Sequence, residues 1–517
     1  MNSRVILPLI ALLTFVAPLA AQEKVSKDQA EAAIKSFKKL FKSENEHVRR
    51  AGIDDIGACN HPDCLPYILR GMKDKSSVVR AGVVPALEKH TTKKGWNDLV
   101  RELNRNKNLD VQLAILSSFK KTKPKVAYDT ILKLLEGKKF ELKFAAAEVI
   151  AEMASDGRVE RVLMGMVDDK NAQIRLIAIE ALVRLRHEDV VDICLTKMVE
   201  DDEWQVKATC IAALRQFRKK RSIVPLIDAM EREEGRLADD AHAALVDISG
   251  YDYSAKVETW RRWWKRVGER FEPPTQADKA AAAKRLKEAR SKYDRADKTY
   301  TPYHGINTKS RRMLFVLDTS FSMIEKIALK TKDQRRLDEF RERYGDVETK
   351  IDLCRNELIN TIASLGKHVK FNIILFDTDA RPWKKKLVAA TGGNKNSAYK
   401  FLDKIRPDYV TRRTEKENKG QTNTFAALNL ALGLKDEPQM KPSKTHTVES
   451  DTVFFMSDGM PTAGRIKQPD ELLRYFMTVN KRAKIVFHTL TFGHGNVQLL
   501  KPMAERSGGE YVVIGIE

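Results

Sequence analysis

Apolar residues in the first half of the chain recur with two superimposed spacings. Val48, Val79, Val111, Leu142, Ile174, Val206 and Leu237 stand 31 or 32 residues apart, and eight residues after each comes a partner: Ile56, Leu87, Phe119, Ile150, Leu182, Leu214 and Leu245. An offset of eight returns to the same helix face. About twenty residues after the first six stand Ile68, Leu99, Ile131, Val162, Cys194 and Leu226, which predict a second helix in each unit. A helix pair cannot bury two such stripes by itself, but stacked neighbours can. The pattern therefore predicts an all-α solenoid of about seven repeats over residues 28–248, with a preceding helix near Ala33, Phe37 and Phe41.

After residue 305 the pattern changes to short continuous apolar runs: Met313 to Leu317, Phe371 to Phe376, Thr452 to Met456, Lys484 to Phe492 and Tyr511 to Ile514. Runs of this kind predict strands buried on both faces. They alternate with helical stretches such as Ile351 to Leu365 and Thr424 to Leu434, so residues 306–517 are expected to form an α/β doubly wound, mostly parallel sheet. Between the halves, residues 249–272 carry Trp260, Trp263 and Trp264, a helix expected to close the solenoid, with base stacking as the alternative reading. Pro273-Pro274 breaks that helix, and 273–305 reads as a charged linker helix.

The candidate chemistry lies where those strands end. Asp318-Thr319-Ser320-Phe321-Ser322 follows the first run, Thr422 precedes a helix, and Ser457-Asp458-Gly459 follows the third run. Open α/β sheets bind ligands at the carboxyl ends of their strands. Hydroxyls and carboxylates are hard oxygen donors suited to Mg²⁺, Mn²⁺ or Ca²⁺, and the sequence has no zinc-type motif of clustered Cys and His. Singly, each piece is an ordinary turn or cap; the ordered set predicts a metal site.

With this set, residues 306–517 resemble the von Willebrand factor A fold, Rossmann-like in topology, with its metal-ion-dependent adhesion site. The resemblance implies that Ser320, Ser322 and Thr422 hold the ion directly, while Asp318 and Asp458 act through water. It also implies a protein partner whose carboxylate completes the shell, with no catalysis required. Phe321 and Gln421 stand where that family often has glycine, and both are candidate partner contacts. The repeats resemble HEAT repeats of the short bacterial kind, including a basic residue after the first apolar position: Arg49, Arg80, Lys143, Arg175 and Lys207, with Gln112 and Ala238 departing. Those bases are expected to pair with acids at repeat junctions, such as Asp168, Asp201 and Asp202. The charged stretch Glu325 to Lys350 and the polar stretch Pro407 to Gly420 are the loops expected to set specificity.

Net charge is +22, which invites a nucleic-acid reading. The domain order is similar to that of the Ro ribonucleoprotein, which holds RNA. The charge divides as +11 for residues 301–517 and +11 for the rest, so general basicity is favoured over one dedicated stripe. The short repeats are also similar to those of phycobilin lyases, but the sequence has no nucleophile–base pair or phosphate loop, and a non-enzymatic binding protein is expected. Five cysteines leave at least one unpaired. Cys59 and Cys64 flank His61-Pro62, where a local disulfide is one reading and a metal role for Cys59, His61 and Cys64 a less favoured one; Cys194, Cys210 and Cys354 read as core. Residues 1–21, with Arg4, the apolar stretch Val5 to Val16 and Leu19-Ala20-Ala21, read as a secretory signal. That predicts export to the periplasm or the medium, without a transmembrane anchor.

Overall fold

The computed structural model describes residues 25–514 apart from 154–155, 254, 276–300, 328–337, 339–340, 343–346, 435–447 and 494. The expected secretory signal, the linker helix and most of the Glu325 to Lys350 insertion lie outside the described residues. The chain divides into two compact units, one ending at Ala127 and one beginning at Tyr128.

The first unit is helical, and its paired helices follow the predicted periodicity. Helix Glu46–Ala58 buries Ile53 and Ile56, and Leu109–Thr122 buries Val111, Ile115 and Phe119. The helix expected between them is split into Ser77–Ala81 and Val83–Glu88. Pro85 has no N–H to offer the carbonyl of Ala81, so the ladder is interrupted there. Arg49 donates from Nε and Nη2 to the two carboxylate oxygens of Asp74 at 2.8 and 2.9 Å, and from Nη1 to the carbonyls of Ser43 and Glu44. Asp74 in turn accepts from the N–H of Ser76, which caps the next helix. Cys59 and Cys64 are both free thiols.

The second unit begins with further helix pairs and repeats the junction. Arg175 meets Asp201 through two bonds of 2.7 and 2.6 Å, Lys143 reaches Asp169, and Lys207 reaches Glu233. The expected acid Asp201 is thus used. Asp168 pairs instead with Lys197, and Asp202 is exposed. One residue decides this, because Asp169 directly precedes the turn whose N–H at Asn171 it accepts. Trp260 and Trp263 are buried in helix Val257–Val267 against Tyr253 and Phe271. They form a capping core, and Arg261 ties it to Asp228 and Glu231.

The sheet follows in the same unit. A small hairpin, β1 (Thr301–Tyr303) and β2 (Ile306–Thr308), precedes β3 (Arg312–Asp318), β4 (Lys370–Phe376), β5 (Ala380–Pro382), β6 (Val388–Ala389), β7 (Thr452–Met456), β8 (Val486–Phe492) and β9 (Tyr511–Ile514). The order is β5-β4-β3-β7-β8-β9; β4, β3, β7, β8 and β9 are parallel, and β5 and β6 pair antiparallel with β4. Helices cover both faces. Leu314, Val316 and Phe455 point into one apolar layer and Phe315, Leu317 and Phe454 into the other, which is why these strands read as continuous apolar runs.

Helices of the second unit's solenoid pack against the amino-terminal ends of these strands. Arg236 donates to the carbonyls of Asp451 and Lys484, just before β7 and β8, Lys481 pairs with Glu148 at 2.6 Å, and Lys484 pairs with Glu180. The Arg236 and Arg312 guanidiniums both lie over the Trp204 ring, 5.3 and 5.0 Å from its centroid. At roughly 3.3 Å per residue, a seven-residue strand holds the carboxyl ends about 20 Å from these contacts.

Candidate metal centre

The order in which strands are added to the sheet reverses at β3. The chain passes from β3 to β4 on one side, then returns to β7 on the other, so the crevice between the carboxyl ends of β3 and β7 is the topological switch point. Asp318 ends β3, and Ser457 and Asp458 directly follow β7.

Asp318 is fully buried. Its Oδ1 accepts the N–H of Ser320 at 2.8 Å and its Oδ2 accepts the Ser457 hydroxyl at 2.6 Å. The two serine hydroxyls, Ser320 Oγ and Ser322 Oγ, are 3.3 Å apart, and Ser322 Oγ donates to Asp458 Oδ1 at 2.7 Å. Thr422 arrives from a third direction. Its N–H donates to Thr462 Oγ1 at 2.8 Å, its carbonyl accepts from Thr462 and Ala463, and Asn423 beside it caps helix Thr424–Ala431. Gly459 marks the meeting point: a Cβ there would stand 3.4 Å from Thr422 Oγ1 and 3.7 Å from Ser322 Oγ. All five predicted oxygen-bearing side chains are therefore gathered at one rim.

Two buried carboxylates facing one crevice are costly. Burial first, and the charge of Asp458 second, push the Asp318 carboxyl up to about 7. A cation shared by the two would relieve both effects. Ligands at right angles around Mg²⁺ stand about 3 Å apart, and around Ca²⁺ roughly 3.3–3.7 Å, so the serine pair suits either ion. Among the described residues no three His, Cys, Asp or Glu side chains are grouped to hold a metal, which leaves this hydroxyl-rich set as the candidate.

Lys350 carries no local sequence sign of a role at this site. Its ammonium lies 2.7 Å from Asp458 Oδ2 and 2.6 Å from Glu325 Oε2. Ser457, quoted within its motif, proves to be the group that holds Asp318. A further network braces the Thr422 loop: Asp377, fully buried, takes two bonds from Arg413 at 2.7 and 2.8 Å and two from Arg381 at 2.9 and 3.0 Å. Arg413 lies on helix Pro407–Glu415, so the stretch expected as a polar loop is largely helical, with Pro407 at the first turn, where a missing N–H is harmless. The Gly420 carbonyl accepts the Phe321 N–H at 3.0 Å. Any Cβ at Gly420 would meet Thr414 Oγ1 at 2.3 Å. Phe321, at 49% exposed, and Gln421 both face solvent at the rim, and Met460, 47% exposed, adds an apolar side chain next to Gly459.

Family models match this topology and the helical region. The von Willebrand factor type A domain model matches residues 346–513, and the HEAT repeats model matches 34–117 and 159–245. The chain carries HEAT repeats and a von Willebrand factor type A domain. Among curated proteins, it is 29% identical over 160 residues to inter alpha-trypsin inhibitor heavy chain 4 of Mus musculus, covering 30% of this chain and 13% of that protein. It is 24% identical over 169 residues to human von Willebrand factor A domain-containing protein 3B, covering 32% of this chain and 11% of that one. The chain thus spans only a small part of the length of these relatives.

Similar solved structures include a von Willebrand factor type A protein from Catenulispora acidiphila (15% identity, TM-score 0.27, 40% of this chain and 39% of that one). A second is BatB from Bacteroides thetaiotaomicron (15%, 0.26, 40% and 90%). A third is the CpcE–CpcF complex of phycocyanin lyase from Nostoc (14%, 0.26, 48% and 97%). The assignment rests on the family matches and on the sheet order. A von Willebrand factor type A domain suggests interaction with other proteins or an adhesion scaffold. No described helix is long and apolar enough to cross a membrane.

Proposed function

We propose that this protein is a non-enzymatic binding or scaffold protein that captures a partner through a divalent cation at the β3–β7 crevice. The observation that carries the reading is the convergence of Ser320, Ser322 and Thr422 hydroxyls with Asp318 and Asp458 around Gly459. Ser320, Ser322 and Thr422 would hold Mg²⁺, Mn²⁺ or Ca²⁺ directly, and the two aspartates would orient its waters. The ion, when bound, supplies a position that a carboxylate from the partner can take. Phe321 and Met460 give that partner apolar surface beside the charge, and the HEAT repeats supply a second, extended contact surface. We also propose export to the periplasm or medium, on the basis of residues 1–21.

The test is capture from an envelope fraction of the source organism, with Mg²⁺ and with chelator, comparing the natural chain with Asp458→Ala. The expected result is a partner retained only by the natural chain with the ion present, while circular dichroism shows the same fold for both. Equal capture in excess chelator would refute the reading. Amino-terminal sequencing of the mature protein, starting near Gln22, would test the export claim.

A further inference from the structure

A cleft of about 610 Å³ opens inside the second unit, between the turn Lys170–Gln173 and the start of helix Trp204–Phe217 on one side and the amino-terminal edge of the sheet on the other. Five cationic side chains line it: Lys170, Arg312, Lys370, Lys386 and Arg482. Two acids, Glu203 and Glu449, oppose them, and Glu449 is already engaged by the Leu387 N–H at 2.8 Å. Lys170, Lys370 and Lys386 are exposed and form no ion pair among the described residues.

Arg482 sets this cleft apart from general surface basicity. It is 7% exposed, and its Nε is buried with no hydrogen-bond partner among the described residues. It lies over the Phe144 ring at 6.0 Å, and the nearby Glu148 carboxylate is taken by Lys481 at 2.6 Å. A guanidinium held this far from water is costly unless a negative charge lies close to it. One wall is Trp204, whose ring is in contact with the Arg236 and Arg312 guanidiniums. Leu176, Leu387 and Val448 add apolar lining. The volume lies within the range of small-ligand sites, roughly 300–1,000 Å³.

We infer that this cleft binds a small organic oxyanion carrying two or more negative charges, held by Arg482 and the surrounding lysines. Phosphate esters and polycarboxylates share that chemistry. Because the cleft has walls from both the solenoid helices and the sheet, its occupant ties them together, at the end of the domain remote from the metal centre.

The experiment is isothermal titration of the full chain, in metal-depleted buffer of low ionic strength, with pyrophosphate in one arm and citrate in the other. At least one probe is expected to bind with a Kd in the micromolar range, and the stronger arm identifies the source chemistry. The double variant Lys170→Glu, Lys386→Glu, both exposed and so harmless to folding, should weaken that binding at least about tenfold. Lys400→Glu, an exposed lysine outside the cleft, should leave it unchanged. Absence of heat with both probes up to millimolar concentration, undiminished binding by the double variant, or an equal loss in Lys400→Glu would each overturn the inference.

Discussion

Lys350 Nζ lies 2.7 Å from Asp458 Oδ2, so the aspartate that closes the candidate metal centre already has a resident cation. Burial opposes the lysine's charge, but the hydrogen bonds to Asp458 and Glu325 outweigh it and raise the ammonium pKa above its ordinary value. A divalent ion arriving at the crevice meets that charge. Replacing Lys350 with Met should tighten Mn²⁺ binding about tenfold through loss of like-charge repulsion, measured by calorimetry. An unchanged or weaker affinity would show that Lys350 does not oppose the ion.

Ser322→Ala removes one proposed ligand and the donor to Asp458 Oδ1. Mn²⁺ affinity should fall by roughly 30-fold, the equivalent of about 2 kcal/mol, while thermal stability in chelator changes little. The same loss of stability with and without ion would indicate a structural hydroxyl instead of a ligand.

Asp377 is held by Arg413 and Arg381. Burial pushes its carboxyl pKa up, but those hydrogen bonds prevail and hold it below the ordinary carboxylate value. Its native form therefore binds fewer protons than its unfolded form. The stability it contributes is present above pH 3.8 and is lost as pH falls through its depressed native pKa. Asp377→Ala leaves Arg413 buried without its main partner and should cost about 3–5 kcal/mol, read as a lower urea midpoint at pH 7.

His90, in the first unit, is fully buried, and neither ring nitrogen has a hydrogen-bond partner among the described residues. Burial first, and the charge of His61 second, pull its pKa down to about 4 from 6.5. The native imidazole stays neutral where the unfolded one takes a proton. Stability is thus full above pH 6.5 and declines toward pH 4, by on the order of 3 kcal/mol at the end of that window. His90→Leu should flatten the decline in thermal midpoint over that range, and an identical pH profile in the variant would remove His90 as its cause.

Much of this molecule was legible in the sequence because its signals are periodic or local. The 31- and 32-residue recurrence through Val79, Val111, Ile174 and Val206 follows from helices that must each cover an apolar stripe, although Val48 at its start is exposed. The apolar runs at Met313 to Leu317 and Thr452 to Met456 follow from strands buried on both faces. The ordered oxygen donors Asp318, Ser320, Ser322, Thr422 and Asp458 were readable because each sits at a strand or helix end. Lys350, 108 residues from Asp458, carries no local sign of that contact.

Periodicity and local motifs therefore specify an inventory: two kinds of domain, their order and the donor set at the strand ends. Which acids answer which bases was settled by folding in three dimensions, since Asp169 and not Asp168 reaches Lys143. The same packing placed Lys350 on Asp458, Arg413 on Asp377 and Arg482 on the wall of a charged cleft. The reason is physical. Periodicity records how much surface an element must bury, whereas pairing between distant side chains depends on packing distances that are fixed only when the sheet order and the helix stacking are complete.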